Sequence, residues 1–173
     1  VAELAAWDFM AGYTGPTTLA TVLPGAVFGP ILSAGSRGSV RIVERLLRGA
    51  MPGLPRIGFE IVDVRDLADV HILAMTSPAA AGQRFLATGE FLWMREMALA
   101  LRAGLGEAAS QVPTRELPDF VVRATAKVDR SLRAITGSLG RRHRHSIEKA
   151  RRLLDWQPRP AAETVVDCAR SLI

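Results

Sequence analysis

Twelve residues, Leu19 to Pro30 (LATVLPGAVFGP), constrain this chain more than any others. A short apolar, β-branched run ends in Pro24-Gly25, and Gly29-Pro30 follows at once. The pattern predicts a buried strand over Leu19–Leu23 that stops at a crevice, with its backbone open to a ligand. In an open α/β sheet, ligands sit beyond the carboxyl ends of the strands. A parallel strand of this kind needs neighbours, and little of the chain could supply them.

The 173 residues allow one ordinary domain, and 49% apolar with 23% charged residues is a globular composition. No apolar run approaches the ~20 residues that cross a bilayer, so no membrane partner is expected. No charged-then-apolar leader opens the chain. The single cysteine, Cys168, rules out an internal disulfide and suits a reducing, cytoplasmic location. It falls in a helical stretch beside Val165 and Val166 with no activating base nearby, and reads as a small buried hydrophobe. The net charge of +5 is carried almost wholly by arginine; Lys127 and Lys149 are the only lysines. Arg141, Arg142, His143, Arg144, His145, Lys149, Arg151 and Arg152 form a basic cluster. Such clusters can hold phosphate backbones. Here no aromatic residues interleave to stack on bases, so the cluster reads as a solvated loop and helix face, with no nucleic-acid partner.

Helical spacing of Leu4, Trp7 and Ala11 predicts a helix from Val1 to Tyr13, ended by Gly12, Gly15 and Pro16. It begins without a cap, as if in mid-helix. The helix then feeds the Leu19–Leu23 strand, as the second half of a βαβ crossover does. The Gly/Ser-rich loop Ser33–Ser39 follows, with Ser39 as a candidate N-cap. The next helix turns Val40, Val43, Leu46 and Leu47 inward. A strand is predicted over Ile57–Val62, then a helix capped by Asp63 with Asp66 in its first turn. Val64, Leu67, Ala68, His71 and Met75 mark its apolar face, and His71 reads as a core histidine bonded to a backbone carbonyl. Gln83–Ala87 forms another short strand. Met94, Met97, Ala98, Leu101 and Leu105 recur at helical spacing. Pro113–Leu117 could form a short strand, and Asp119–Ile135 one or two helices. Ser146 caps a helix with Ile147, Ala150 and Leu154 inward. Asp155–Pro160 is a rigid turn, and Ala161–Ile173 closes the chain as a helix.

Strands alternating with helices, then mostly helices, predict part of a doubly wound sheet with a helix-rich lobe. One cysteine and three histidines build no zinc site. There is no G-x-S-x-G elbow, no P-loop and no G-x-G-x-x-G after a strand.

Four stretches, in order, resemble the C-terminal half of an extended short-chain dehydrogenase/reductase. The branch is that of NAD(P)-dependent epimerase/dehydratases and dihydroflavonol-4-reductase-like enzymes. Val1–Phe9 resembles the helix after the family's catalytic Tyr-x-x-x-Lys. Leu23–Pro30 resembles the loop beside the nicotinamide. Phe59–His71 resembles the "VDVRDVA-x-AH" signature, and Ser146–Pro158 the closing "SKA-x-x-x-LGW-x-P" pattern, with Asp155 in place of glycine.

The resemblance implies a mixed α/β fold: the C-terminal part of a Rossmann-like doubly wound parallel sheet plus a helix-rich substrate lobe. It implies one partial domain over 1–173. Rossmann-derived elements would lie at about 1–30 and 56–90, and substrate-lobe elements at about 31–55 and 91–160. It implies cofactor contacts from Pro24, the backbone of Gly25, Ala26 and Val27, and Ser39, with NAD(P) as the cofactor and NADP favoured. Segments 31–47 and 115–130 would wall a small-molecule substrate. The family's tyrosine and lysine would fall before Val1, so no catalytic residue is expected here, and no metal. Tyr13 has no lysine four residues on and reads as structural. The expected function is that of a C-terminal fragment of an NAD(P)-dependent carbonyl or alcohol oxidoreductase, inactive alone. The alternatives are a non-catalytic binding or regulatory module and a sugar-nucleotide epimerase or dehydratase. The Leu19–Leu23 strand is expected at an unprotected edge, open to pairing with a second copy.

Overall fold

A computed structural model of the protein describes residues 2–31 and 38–173. The chain opens with helix α1 (Ala2–Ala11), followed by strands β1 (Thr21–Pro24) and β2 (Ala26–Phe28). Helix α2 (Val40–Leu47), strand β3 (Gly58–Asp63) and helix α3 (Val64–Thr76) come next. Strands β4 (Arg84–Ala87) and β5 (Phe91–Trp93) precede helix α4 (Met94–Leu105). Helices α5 (Asp119–Thr125), α6 (Arg130–Thr136), α7 (Glu148–Leu154) and α8 (Ala161–Arg170) complete the chain.

The strands form two small sheets. β1 pairs with β4 in parallel, with Pro24 opposite Ala87. β2 pairs with β3 in parallel, and β3 pairs with β5 antiparallel. Among the described residues β1 has no strand on its other side, as expected of an unprotected edge. The strand does not end its run at Pro24, however. After one residue, Gly25, the chain is extended again as β2 and joins the second sheet.

Each sheet has its own apolar core. Val62, Val70, Phe85, Ala87, Ala150, Leu154 and Trp156 pack around β4, α3 and α7. Phe28, Val43, Leu46, Ile61, Met97, Leu101, Val165 and Cys168 pack around β2, β3, α2, α4 and α8. β3 serves both, with Ile61 in one core and Val62 in the other, as alternation along a strand dictates. The helical spacing read in Met94, Met97, Ala98 and Leu101 is the buried stripe of α4. Ala150 and Leu154 are likewise the buried positions of α7.

Two local expectations are corrected, and one element was missed. β5 was hidden in the sequence because its three apolar residues run straight into the α4 stripe. Pro113–Leu117 forms no strand, only a single parallel bridge between Leu54 and Glu116. The buried face of α3 carries Asp66 and Val70, whereas Val64, Ala68, His71 and Met75 are exposed. Asp66 is the cause: its carboxylate is held by Arg159, which turns that face of the helix toward the C-terminal turn.

Asp155 stands at φ 51°, ψ 32°, the left-handed cap of α7. It is the only non-glycine residue at positive φ among the described residues. Left-handed backbone costs an L-residue about 1 kcal/mol, partly offset for glycine by the freedom it adds to the unfolded chain. Asp155→Gly therefore raises the unfolding free energy by about 0.5 kcal/mol. A urea midpoint at or below that of the parent would show the aspartate side chain itself to be stabilising.

Candidate functional site

The candidate site begins where β1 and β4 end side by side. The Gly25 amide donates to the Ala87 carbonyl at 3.1 Å, prolonging the β1–β4 ladder by one bond. A Cβ on Gly25 would lie 2.2 Å from the Glu60 carbonyl oxygen and 3.3 Å from Thr88 Cγ2. Gly25 is thus a glycine because β3 presses on it. Gly89 repeats the arrangement after β4, where a Cβ would meet the Ile61 carbonyl at 2.2 Å. Pro24 is exposed, and Gly25, Ala26 and Val27 are half-buried, so the four form a continuous strip at the carboxyl ends of parallel strands.

Ser39 joins that strip. It was expected to cap α2, but its backbone is already helical and its side chain makes no capping bond. Its hydroxyl instead donates to the Val27 carbonyl. The five cofactor candidates therefore meet as one strip plus one side chain bonded to it. The rest of the Gly/Ser-rich loop, residues 33–37, lies outside the described residues.

Below the strip lies a network of charges. Asp63, fully buried, caps α3 by accepting from the Arg65 amide at 2.9 Å. Arg65 grips both Asp63 oxygens, at 2.9 and 2.8 Å, and reaches Asp167 of α8 at 2.7 Å. Burial pushes the Asp63 carboxyl up, but the bonds from Arg65 outweigh it and hold the group below its ordinary value. Arg159 donates to Asp66 Oδ1 through Nε at 2.9 Å and Nη2 at 2.7 Å, and its amide donates to Oδ2 at 2.8 Å. The Trp156 indole donates to the Asp66 carbonyl at 2.8 Å. A Cβ on Gly29 (φ 117°) would lie 2.9 Å from Asp63 Oδ1, so the carboxylate also fixes the end of β2. The capping role of Asp63 stands. Asp66 does not cap; it anchors the C-terminal turn. The signal in the sequence was the alternating Asp63-Val64-Arg65-Asp66 and the lone Arg159 between prolines, opposite charges that burial forces to pair.

Other candidates sit apart. His71 is exposed, with Nδ1 2.6 Å from the Leu67 carbonyl: the predicted partner without the predicted burial. Tyr13 bonds Thr17 at 3.3 Å and stacks on Phe9, a local structural role. Cys168 is buried, and that burial pushes its thiol up, away from nucleophile chemistry. In the basic cluster, His145 bonds Glu60 through its backbone amide at 2.8 Å and through its ring. Arg142 lies over the Phe91 ring at 5.4 Å, an aromatic contact that the sequence did not reveal. No metal-binding group of three or more His, Cys, Asp or Glu is present among the described residues. Nor does any helix there have the length and apolarity to cross a membrane.

No family model matches the chain. Individual relatives do. Ketoreductase azaE of Aspergillus niger is 32% identical over 126 residues, covering 68% of this chain and 37% of the relative. The uncharacterized oxidoreductase YGL039W of Saccharomyces cerevisiae is 26% identical over 183 residues, covering 99% of this chain and 48% of the relative. The fold matches yeast methylglyoxal/isovaleraldehyde reductase Gre2 complexed with NADPH, with a TM-score of 0.76 at 22% identity. That match covers 99% of this chain and 52% of Gre2. The chain spans about half the length of these relatives or less.

Because the folded Asp63 carboxyl lies below its unfolded value, its contribution to stability is present above the unfolded value of about 3.9. It is lost as pH falls through the folded value. Arg65→Met removes the main cause of the shift, so thermal midpoints measured between about pH 5 and pH 3 fall less steeply in the variant than in the parent. Parallel curves would show that Asp63 is not held by Arg65.

Proposed function

We propose, for a chain that belongs to the extended short-chain dehydrogenase/reductase family in its epimerase/dehydratase group, that it serves NAD(P)-dependent reduction of a small carbonyl compound. In this reading the elements at about 1–30 and 56–90 form one wall of the nicotinamide cleft. Those at about 31–55 and 91–160 form the substrate lobe. The observation that carries the reading is the strip Pro24-Gly25-Ala26-Val27 at the carboxyl ends of β1 and β4, with Ser39 bonded to Val27. A nicotinamide fits such a strip. Pro24 offers an exposed apolar surface, Gly25 offers backbone without a side chain, and the Ser39 bond holds the Val27 peptide in place. NADP is favoured over NAD because Gre2 is complexed with NADPH.

The cofactor would supply the hydride. The proton that must accompany it needs an acid of tuned pKa held at the substrate. Among the described residues none stands at the strip. Tyr13 is engaged with Thr17, and Lys149 with Gln83. The 173 residues therefore position cofactor and substrate without providing the acid. The dihydroflavonol-reductase-like branch is supported by the Pro24–Pro30 loop and the Val62–Asp66 match. The unpaired side of β1 supports strand addition, including a second copy of the chain. A reducing, cytoplasmic setting agrees with a single buried thiol.

The 173-residue chain alone is expected to show no substrate-dependent NADPH oxidation, followed by loss of nicotinamide absorbance; steady turnover would overturn the assignment of the acid to residues outside it. In active protein that contains this chain, Pro24→Glu places a carboxylate on an exposed part of the wall. It is expected to weaken NADPH about tenfold in a fluorescence titration, a change of about 1.4 kcal/mol. An unaltered affinity would remove Pro24 from the cofactor wall.

A further inference from the structure

All of the chain's surplus charge sits in one short stretch. Six of the 22 basic residues and one of the 17 acidic residues fall within residues 141–152, so the remainder of the chain is neutral. Among the described residues no ion pair uses Arg141, Arg142, Arg144, Lys149, Arg151 or Arg152. Like charges gathered this densely repel, and an ordered protein surface keeps them at a cost that a bound anion removes.

The stretch borders a cleft of about 260 Å³. Thr88, Gly89, His145, Arg151, Pro158 and Pro160 are among the residues that line it. Thr88 and Gly89 follow directly on the carboxyl end of β4, the place where α/β sheets present ligands. The cleft also adjoins the candidate cofactor strip, since a Cβ on Gly25 would lie 3.3 Å from Thr88 Cγ2. Three further ionisable groups line the cleft, and all are already engaged: the His145 amide and ring are bonded to Glu60. Glu90 accepts from the Ala161 amide at 3.2 Å, and Arg159 is committed to Asp66. Arg151 is exposed, and among the described residues its side chain forms no hydrogen bond or ion pair, so its guanidinium is the cation of the cleft left free for a ligand.

We propose that this cleft is a binding site for a small phosphorylated molecule, a compact diphosphate or phosphate ester, held by Arg151 and attracted by the arginines of the 141–152 rim. The volume suits such a group. A membrane surface is disfavoured because α7 spends its apolar side chains, Ala150 and Leu154, on the core and leaves none to insert. The site stands independently of the reductase reading, since it uses neither the strip nor Ser39.

Calorimetric titration of the protein with inorganic pyrophosphate tests this. One saturable site is expected, weakened about tenfold by Arg151→Ala and by less than about twofold by Arg41→Ala, an exposed arginine of α2 outside the cleft. Alanine is a good helix former, so Arg151→Ala keeps α7 folded. The proposal is overturned by the absence of saturable binding, or by equal losses in the two variants. It is also overturned if only a single-stranded oligonucleotide binds, with affinity that grows with length, since that is backbone attraction without a cleft.

Discussion

Two carbonyl groups of β3 decide the layout of this molecule. Those of Glu60 and Ile61 approach Gly25 and Gly89 so closely that no side chain could stand at either position. Each glycine lets a strand of one sheet turn into a strand of the other: β1 into β2, and β4 into β5. The two sheets are thereby locked at a single crossing, with β3 lying against both turns. A larger residue at either position would drive the sheets apart. The crossing is also what sets Pro24 and Thr88 side by side at the carboxyl ends of β1 and β4. The Pro24–Val27 strip and the cleft beyond β4 are therefore neighbours for a backbone reason, before any side chain contributes.

The charge network secures the same region from below. A buried ion pair adds little net stability over an apolar pair of equal shape, because both charges must leave water. Removing one partner is costly, about 3–5 kcal/mol, because the other is stranded. Asp63, Asp66, Arg65, Arg159 and Asp167 are therefore better understood as setting position than as adding stability. They specify how the C-terminal turn and α8 sit against the start of α3, a geometry that apolar contact alone leaves loose. Trp156 completes the anchor: its ring is in the β4 core while its indole N–H reaches the Asp66 carbonyl.

Much of this was legible in the sequence, and the misses share a cause. Periodicity found α4, α7 and α8 because their buried faces are apolar. It misplaced the face of α3 because the residue that decides it is a carboxylate, and a pattern of hydrophobic residues cannot register an aspartate buried by an arginine 93 positions away. The strip from Pro24 to Val27 was legible from Pro-Gly punctuation. The reason for Gly25 was not, since the Glu60 carbonyl that requires it belongs to a distant strand. Ser39 was read with the wrong bond: a serine before a helix reads as a cap, and only the fold brings the Val27 carbonyl to it. The contact of Arg142 with Phe91 was invisible for the same reason, being a product of the fold.

The weakest part of the structure is also informative. α1 has no buried residue. Its recorded ties beyond its own turns run through Glu3, to Thr21 at 2.9 Å and Arg84 at 2.7 Å. An isolated ten-residue helix is marginal in water, and an exposed ion pair contributes about 0–1 kcal/mol, so these ties alone do not hold it. Leu4 and Phe9 of α1, with Val64, Ile72 and Met75 of α3, are large apolar side chains left in solvent. Single exposed apolar residues are ordinary. The contrast lies in how each element is held: α3, β3 and α8 are tied by buried side chains and by the Asp63–Arg65–Asp167 network, whereas α1 rests on the contacts of one glutamate.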